Sequence, residues 1–161
     1  DGTTAFKSSP GKGRPSASIW LGPSNMSELA PNGYTVQADV YLKEQKRKLA
    51  SLGVTVNRYD LILKGNSSKL AIQSWAPHKR MAKEVKFRAD PDTWYTMKLK
   101  VDIKDGQAVV KGKAWPRDKP EPEEWTIEAT DPHANTEGSP GIYLYRLADG
   151  YIDNIIVSED K

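Results

Sequence analysis

The 161-residue sequence contains no cysteine. That excludes a disulfide scaffold, thiol catalysis and cysteine-held zinc, and leaves the fold to stand on packing and hydrogen bonding alone. No apolar run approaches the ~18 residues that a membrane-crossing helix requires, so the chain is not expected to span a membrane itself. A dominant charge is also missing: 24 Lys and Arg face 21 Asp and Glu, for a net charge of +3. Without a strong field, nucleic acid is not expected as a partner. Histidine is scarce, and His78 and His133 stand apart beside Pro or Lys, without the neighbours of a general base or metal ligand. The sequence has no Gly-rich phosphate loop, no Ser-His-Asp order and no His-x-x-x-His spacing. No stretch carries the 3.6-residue period of an amphipathic helix.

What is present points to strands. Hydrophobic residues make up 37% of the chain, and five Trp and seven Tyr add large buried surfaces. Twelve Gly and eleven Pro supply turns for many short elements. Tyr34, Val36, Ala38 and Val40 alternate with Thr35, Gln37, Asp39 and Tyr41, the pattern of a half-buried strand. A longer alternation sets Tyr95, Met97, Leu99, Val101 and Ile103 against Thr96, Lys98, Lys100 and Asp102. Asp105-Gly106 then reads as a tight hairpin turn into Gln107–Trp115. Further strands are expected at Ser16–Leu21, Leu52–Tyr59, Leu61–Lys64, Lys69–Trp75, Trp125–Ala129, Ile142–Arg146 and Tyr151–Val157. Gly65-Asn66-Ser67-Ser68 forms a turn, and Pro116–Glu124 a Pro-rich loop. The run Lys43–Lys48 reads as a solvated loop or short exposed helix. This spacing predicts a single all-β domain over 16–161, an antiparallel sandwich of jelly-roll type. Residues 1–15 are expected to be a flexible arm or a loose first strand. A chain opening on Asp1 fits a processed protein or a piece of a longer one.

Three strings resemble the concanavalin A-like lectin/glucanase superfamily: Asp92-Thr93-Trp94-Tyr95, Lys111-Gly112-Lys113-Ala114-Trp115 and Tyr151-Ile152-Asp153-Asn154-Ile155. The resemblance covers most of residues 34–158. Trp115-Pro116-Arg117-Asp118 through Glu121-Pro122, Trp125–Ala129 and Gly138-Ser139-Pro140-Gly141 are similar to the sandwich domain that follows quinoprotein-like β-propellers in planctomycete-type bacteria. The resemblance implies a periplasmic or extracellular location and one concave sheet. It also implies a structural calcium held by a carboxylate near the chain end, a position that Asp153 occupies, with Asp39 as a helper if its strand lies alongside. Otherwise no cofactor is expected.

Glycosidases of that superfamily set carboxylates two or three residues apart on one strand. No such pattern occurs here, and Glu121, Glu123 and Glu124 fall in the Pro-rich loop, so no catalytic residue is assigned and no enzymatic activity is expected. A sugar site needs an aromatic plane and hydrogen-bonding groups around it. Asn57, Tyr59, Gln73 and Trp75 are expected to face one side of neighbouring strands, with Arg58 and Arg146 adding donors. Trp94, Trp115 and Trp125 read as packing at strand ends. The leading expectation is therefore a non-catalytic carbohydrate-binding or surface-recognition module. The alternative is a structural subunit or docking domain of a larger periplasmic or membrane-associated complex, of electron-transfer or photosynthetic type. It would make contact through the arm, the basic run and the Pro-rich loop. A glycoside-processing hydrolase ranks third.

Overall fold

The computed structural model describes residues 4–13, 16–23, 25–74 and 79–159. In chain order the strands are β1 (Phe6–Ser8), β2 (Ser16–Trp20), β3 (Gly33–Leu42), β4 (Ser51–Val56), β5 (Tyr59–Lys64), β6 (Lys69–Ser74), β7 (Ala82–Lys86), β8 (Trp94–Lys104), β9 (Gln107–Pro116), β10 (Ile127–Asp131), β11 (Gly141–Tyr145) and β12 (Gly150–Glu159). They form two six-stranded sheets, the first in the order β1-β12-β3-β8-β9-β10 and the second in the order β2-β11-β4-β5-β6-β7. Every pairing is antiparallel. The expected sandwich is thus the observed architecture.

Alternation explains why the sheets face each other. Val36, Ala38, Val40, Met97, Leu99 and Val101 of the first sheet are fully buried, as are Leu52, Val54, Leu61, Leu63, Leu70 and Ile72 of the second. Each buried Leu or Ile contributes about 1.5–3 kcal/mol relative to exposure. The two layers interlock closely. A Cβ added at Gly112 on β9 would lie 2.4 Å from Leu61 Cδ1 on β5, so the bare backbone of one sheet receives a side chain of the other.

Several elements differ from the sequence reading. Leu52–Tyr59 is not one strand: Asn57 and Arg58 adopt φ of 45° and 62° and turn the chain between β4 and β5. Asparagine tolerates this left-handed conformation better than most residues. Strand β7 falls in a stretch with no clear alternation, because as a sheet edge it carries Lys83, Glu84 and Lys86 and packs only Val85 against the core. Met26–Leu29 forms one helical turn, α1, where none was expected. Part of the N-terminal arm is strand β1, paired with Gly150–Ile152 of β12. Strand β10 begins at Ile127 rather than Trp125, because Trp125 lies beyond the sheet with the Lys113 ammonium 4.7 Å from its ring centre. The Pro-rich loop is tied down as well: Glu121 pairs with both Lys98 and Lys113 on the first sheet's outer face.

Gly112→Ala is expected to cost about 1–3 kcal/mol through overpacking. Adding Leu61→Val should recover part of that loss, measured as non-additivity in urea denaturation of the single and double variants.

Candidate functional site

The residues expected to form one polar-aromatic platform are split by strand register. Asp60 on β5 lies opposite Gln73 on β6, and Tyr59 lies opposite Ser74. Tyr59 and Gln73 therefore face opposite sides of the sheet, since successive side chains alternate. Tyr59 is fully buried. Its hydroxyl donates to Asp131 Oδ2 at 2.8 Å and accepts from the Asn135 backbone N–H at 2.9 Å. Arg80 Nη2 closes this cluster, reaching Asp131 Oδ2, the His133 carbonyl and Asn135 Oδ1, each at 2.8 Å. Burial pushes the Asp131 pKa up, but the His133 N–H, the Tyr59 hydroxyl and Arg80 outweigh it and leave it below the usual value. Asn57 and Arg58 serve the same end of the sandwich. The Asn57 N–H donates to Tyr34 Oη, the Tyr34 hydroxyl donates to the Gly138 carbonyl, and Arg58 Nε donates to the Glu137 carbonyl. Asn57, Arg58 and Tyr59 thus clamp the segment 131–139. Arg146 follows β11 and is half-buried and engaged. Trp75 lies outside the described residues.

Asp39 and Asp153 face each other across β3 and β12, the adjacency that a shared cation requires. Their surroundings do not fit a calcium ion. Asp39 accepts from the Thr96 hydroxyl at 2.7 Å and from Asn154 Nδ2 at 2.7 Å, and Arg117 Nη1 stands 3.8 Å away. These donors suit a carboxylate already satisfied by protein groups, whereas calcium takes six to eight oxygen ligands. Among the described residues no group of three or more His, Asp or Glu converges on one point.

A different surface carries the arrangement that the platform reading sought. On β11, Ile142 and Leu144 are buried, and Tyr143 and Tyr145 alternate with them onto the outer face of the second sheet. Their cross-strand neighbours are small: Ser18 and Gly53 flank Tyr143, and Ser16 and Ser51 flank Tyr145. Small neighbours leave space beside the two half-buried rings, while Ile62 on the same face is buried. One cleft, of about 340 Å³, is lined by Ser51, Ile62, Lys64, Asn66 and both tyrosines. A second, of about 400 Å³, is lined by Ser16, Ser18, Gln73, Lys79 and both tyrosines. The two clefts share the aromatic pair, so the surface is continuous across β2, β11, β4, β5 and β6.

Asp60 belongs to this face. It is 2% exposed, and it accepts from the Thr55 hydroxyl at 2.7 Å and from Gln73 Nε2 at 3.3 Å. Burial outweighs these two donors and pushes its carboxyl up to about 6. Tyr143 is shifted upward too, chiefly by burial and next by the Asp60 charge. Among the described residues, no carboxylate lines either cleft. The tyrosines were legible in the sequence as Ile142-Tyr143-Leu144-Tyr145, an alternation that sets aromatics on the outward face.

No family model matches the chain, and no curated protein sequence matches it. Among solved structures it is similar to chicken galectin 2, with 16% identity over 78% of this chain and 89% of that one and a TM-score of 0.42. It is also similar to Caenorhabditis elegans galectin LEC-6, with 9% identity, 96% of each chain covered and a TM-score of 0.48. A third likeness is to the CBM2 module of the evolved Dit of Lactobacillus casei BL23 phage J-1, at 11% identity, 91% and 70% coverage and a TM-score of 0.43.

The raised Asp60 pKa fixes a sign for pH dependence. The folded protein holds this proton more tightly than the unfolded chain, so the contribution of Asp60 to stability falls as pH rises from about 4 through about 6. Asp60→Asn removes the charge, and its stability relative to the unsubstituted protein should rise by up to about 3 kcal/mol between pH 4 and pH 7. Denaturant titrations of both proteins across that range check the trend. At the clamp, Tyr59→Phe removes the hydroxyl shared by Asp131 and Asn135 and is expected to cost about 1–3 kcal/mol at neutral pH, read from the same titrations.

Proposed function

We propose that the chain is a non-catalytic glycan-binding module whose ligand lies across Tyr143 and Tyr145 on the outer face of the second sheet. The observation that carries this reading is the pair of outward tyrosines set among Ser, Gln, Asn and Lys side chains in two adjoining clefts. An aromatic ring stacks on the C–H face of a pyranose. Hydroxyls, amides and ammonium groups around it hydrogen-bond the ring hydroxyls. Hydrolysis by paired carboxylates needs two acids about 5–10 Å apart around the bond, whereas on this face Asp60 is buried and held by Thr55 and Gln73, and Glu84 on β7 is paired with Lys64 and Lys69. Both carboxylates are thus engaged by neighbouring side chains, and neither lines the two clefts. Exported glycans fit the location that the superfamily resemblance implies.

A second reading has its own observation. Among the described residues, strand β1 pairs with β12 over Gly150–Ile152, and further along β12 Ile156 and Val157 are 53% and 43% exposed. Exposed aliphatic side chains near the edge of a sheet suit a protein partner that packs on them. This favours a docking domain of a larger exported protein.

A glycan array followed by calorimetry on the tightest oligosaccharide separates the two. The glycan reading expects array binding that Tyr143→Ala or Tyr145→Ala weakens about tenfold or more, corresponding to about 1.4 kcal/mol, with unchanged melting. A blank array together with stoichiometric recovery of one protein partner would instead establish the docking domain.

A further inference from the structure

On the first sheet, register assembles a separate row of aromatic rings. Tyr41 of β3 lies opposite Tyr151 of β12 on one side and Trp94 of β8 on the other. The ring centres are 5.8 Å and 5.4 Å apart, with interplanar angles of 71° and 50°. All three rings are half-buried on the outward face. Together with Lys43 they line a cleft of about 370 Å³. None of these four residues lines either cleft of the second sheet.

The chain leaves this cleft directly into a cationic hairpin. Gln45 and Lys48 exchange backbone hydrogen bonds of 2.9 Å in both directions. The two residues at the turn, Lys46 and Arg47, have φ of 53° and 62°. That left-handed geometry suits Asn or Gly and disfavours long side chains. Two cations therefore occupy positions for which turn geometry alone selects other residues. Lys43, Lys46, Arg47 and Lys48 are all exposed, and none of them forms an ion pair among the described residues. By contrast, Lys7 at the far side of the aromatic row is paired with Asp149, and Arg117, lying over Trp94, is beside Asp39. Of the nearby acids, Asp92 accepts from the Glu44 N–H and the Tyr41 hydroxyl, leaving the Glu44 side chain as the one acid within the basic run. Lys43 and Lys46 are three residues apart, at most ~10 Å along the chain.

We infer that this rim is a second binding site, for an acidic glycan whose sugar ring packs in the Tyr41–Trp94–Tyr151 cleft and whose carboxylate or sulfate groups meet Lys43, Lys46, Arg47 and Lys48. Charge complementarity selects an anionic ligand, and the aromatic cleft selects one with an apolar ring face. Single-stranded nucleic acid fits less well. It stacks successive bases on aromatic platforms along a positively charged groove, whereas these rings are inclined to one another by 50° and 71° and the cations lie to one side of them. This site is independent of the tyrosine face of the second sheet.

The test is calorimetry with a heparin-derived hexasaccharide, an uncharged hexasaccharide and a thymidine hexanucleotide, each at about 50 and 200 mM salt. The sulfated hexasaccharide is expected to bind, with affinity falling tenfold or more between the two salt concentrations. The triple variant Lys46→Asn, Arg47→Gly, Lys48→Ser removes three charges and installs a turn sequence that the backbone favours. It should melt at or above the temperature of the unsubstituted protein and bind the sulfated ligand at least tenfold more weakly. Trp94→Ala should weaken binding by a similar factor, and Lys104→Ser, at the Asp105-Gly106 turn, should change it by less than twofold. Three results would overturn the inference: no binding of the sulfated hexasaccharide at about 50 mM salt, binding left within twofold by both the triple variant and Trp94→Ala, or tighter binding of the hexanucleotide.

Discussion

Burial of one face of each sheet against the other is the constraint on which the remaining structure depends. Once Leu61, Leu63, Leu70 and Ile72 are committed inward with Ile142 and Leu144, a slip of one residue in any of these strands would turn its apolar set to solvent. The outward residues then have no freedom in where they appear. Tyr143 and Tyr145 face outward because Ile142 and Leu144 face inward, and they meet Ser18, Gly53, Ser16 and Ser51 because antiparallel register leaves them no other neighbours. The same logic on the first sheet brings Tyr151, Tyr41 and Trp94 into one row. Both aromatic surfaces are by-products of core packing whose composition the core does not dictate.

The ends of the sandwich are held differently. At one end, Tyr34 and Tyr59 extend from the core to hydrogen-bond the segment 131–139, with Arg80 reaching the same segment from outside. This polar cluster is expensive to leave unsatisfied, since buried donors and acceptors without partners cost about 1–3 kcal/mol each. It is nonetheless incomplete: the Asn57 side-chain amide and Asn135 Nδ2 are buried without a partner among the described residues. At the other end, the Gln45–Lys48 hairpin joins the two sheets, and its backbone conformation works against its side chains.

How much of this was legible in the sequence depended on the length of each alternation. Strands β3 and β8 carry eight and nine residues of clear period two, Tyr34–Tyr41 and Tyr95–Ile103, and the sandwich follows from them. Asp105-Gly106 announced its own turn. Asn57-Arg58 and Lys46-Arg47 did not, because Arg and Lys are not turn-formers and adopt left-handed geometry here only under the register of their flanking strands. The predicted platform failed at that point: reading Leu52–Tyr59 as one unbroken strand hid the turn and assigned Tyr59 to the wrong face. Asp39 is a helper to Asp153 in the sequence only on the condition that its strand lies alongside, and β3 does pair with β12 there. Which donors surround them was not legible, because Thr96, Asn154 and Arg117 come from three different places in the chain. Tyr143 and Tyr145 were available as a local pattern, but their small neighbours on β2 and β4 emerge only from tertiary pairing.

The most direct test of the register-built glycan face is amide chemical-shift mapping of the unsubstituted protein with the neutral oligosaccharide that binds most tightly on an array. The account predicts shifts concentrated in Ser16–Ser18, Tyr143–Tyr145, Ser51–Gly53 and around Gln73, with Tyr41, Trp94 and Tyr151 unmoved. Shifts confined to the first sheet or to the edge of β12, or no shifts with any neutral oligosaccharide, would contradict it.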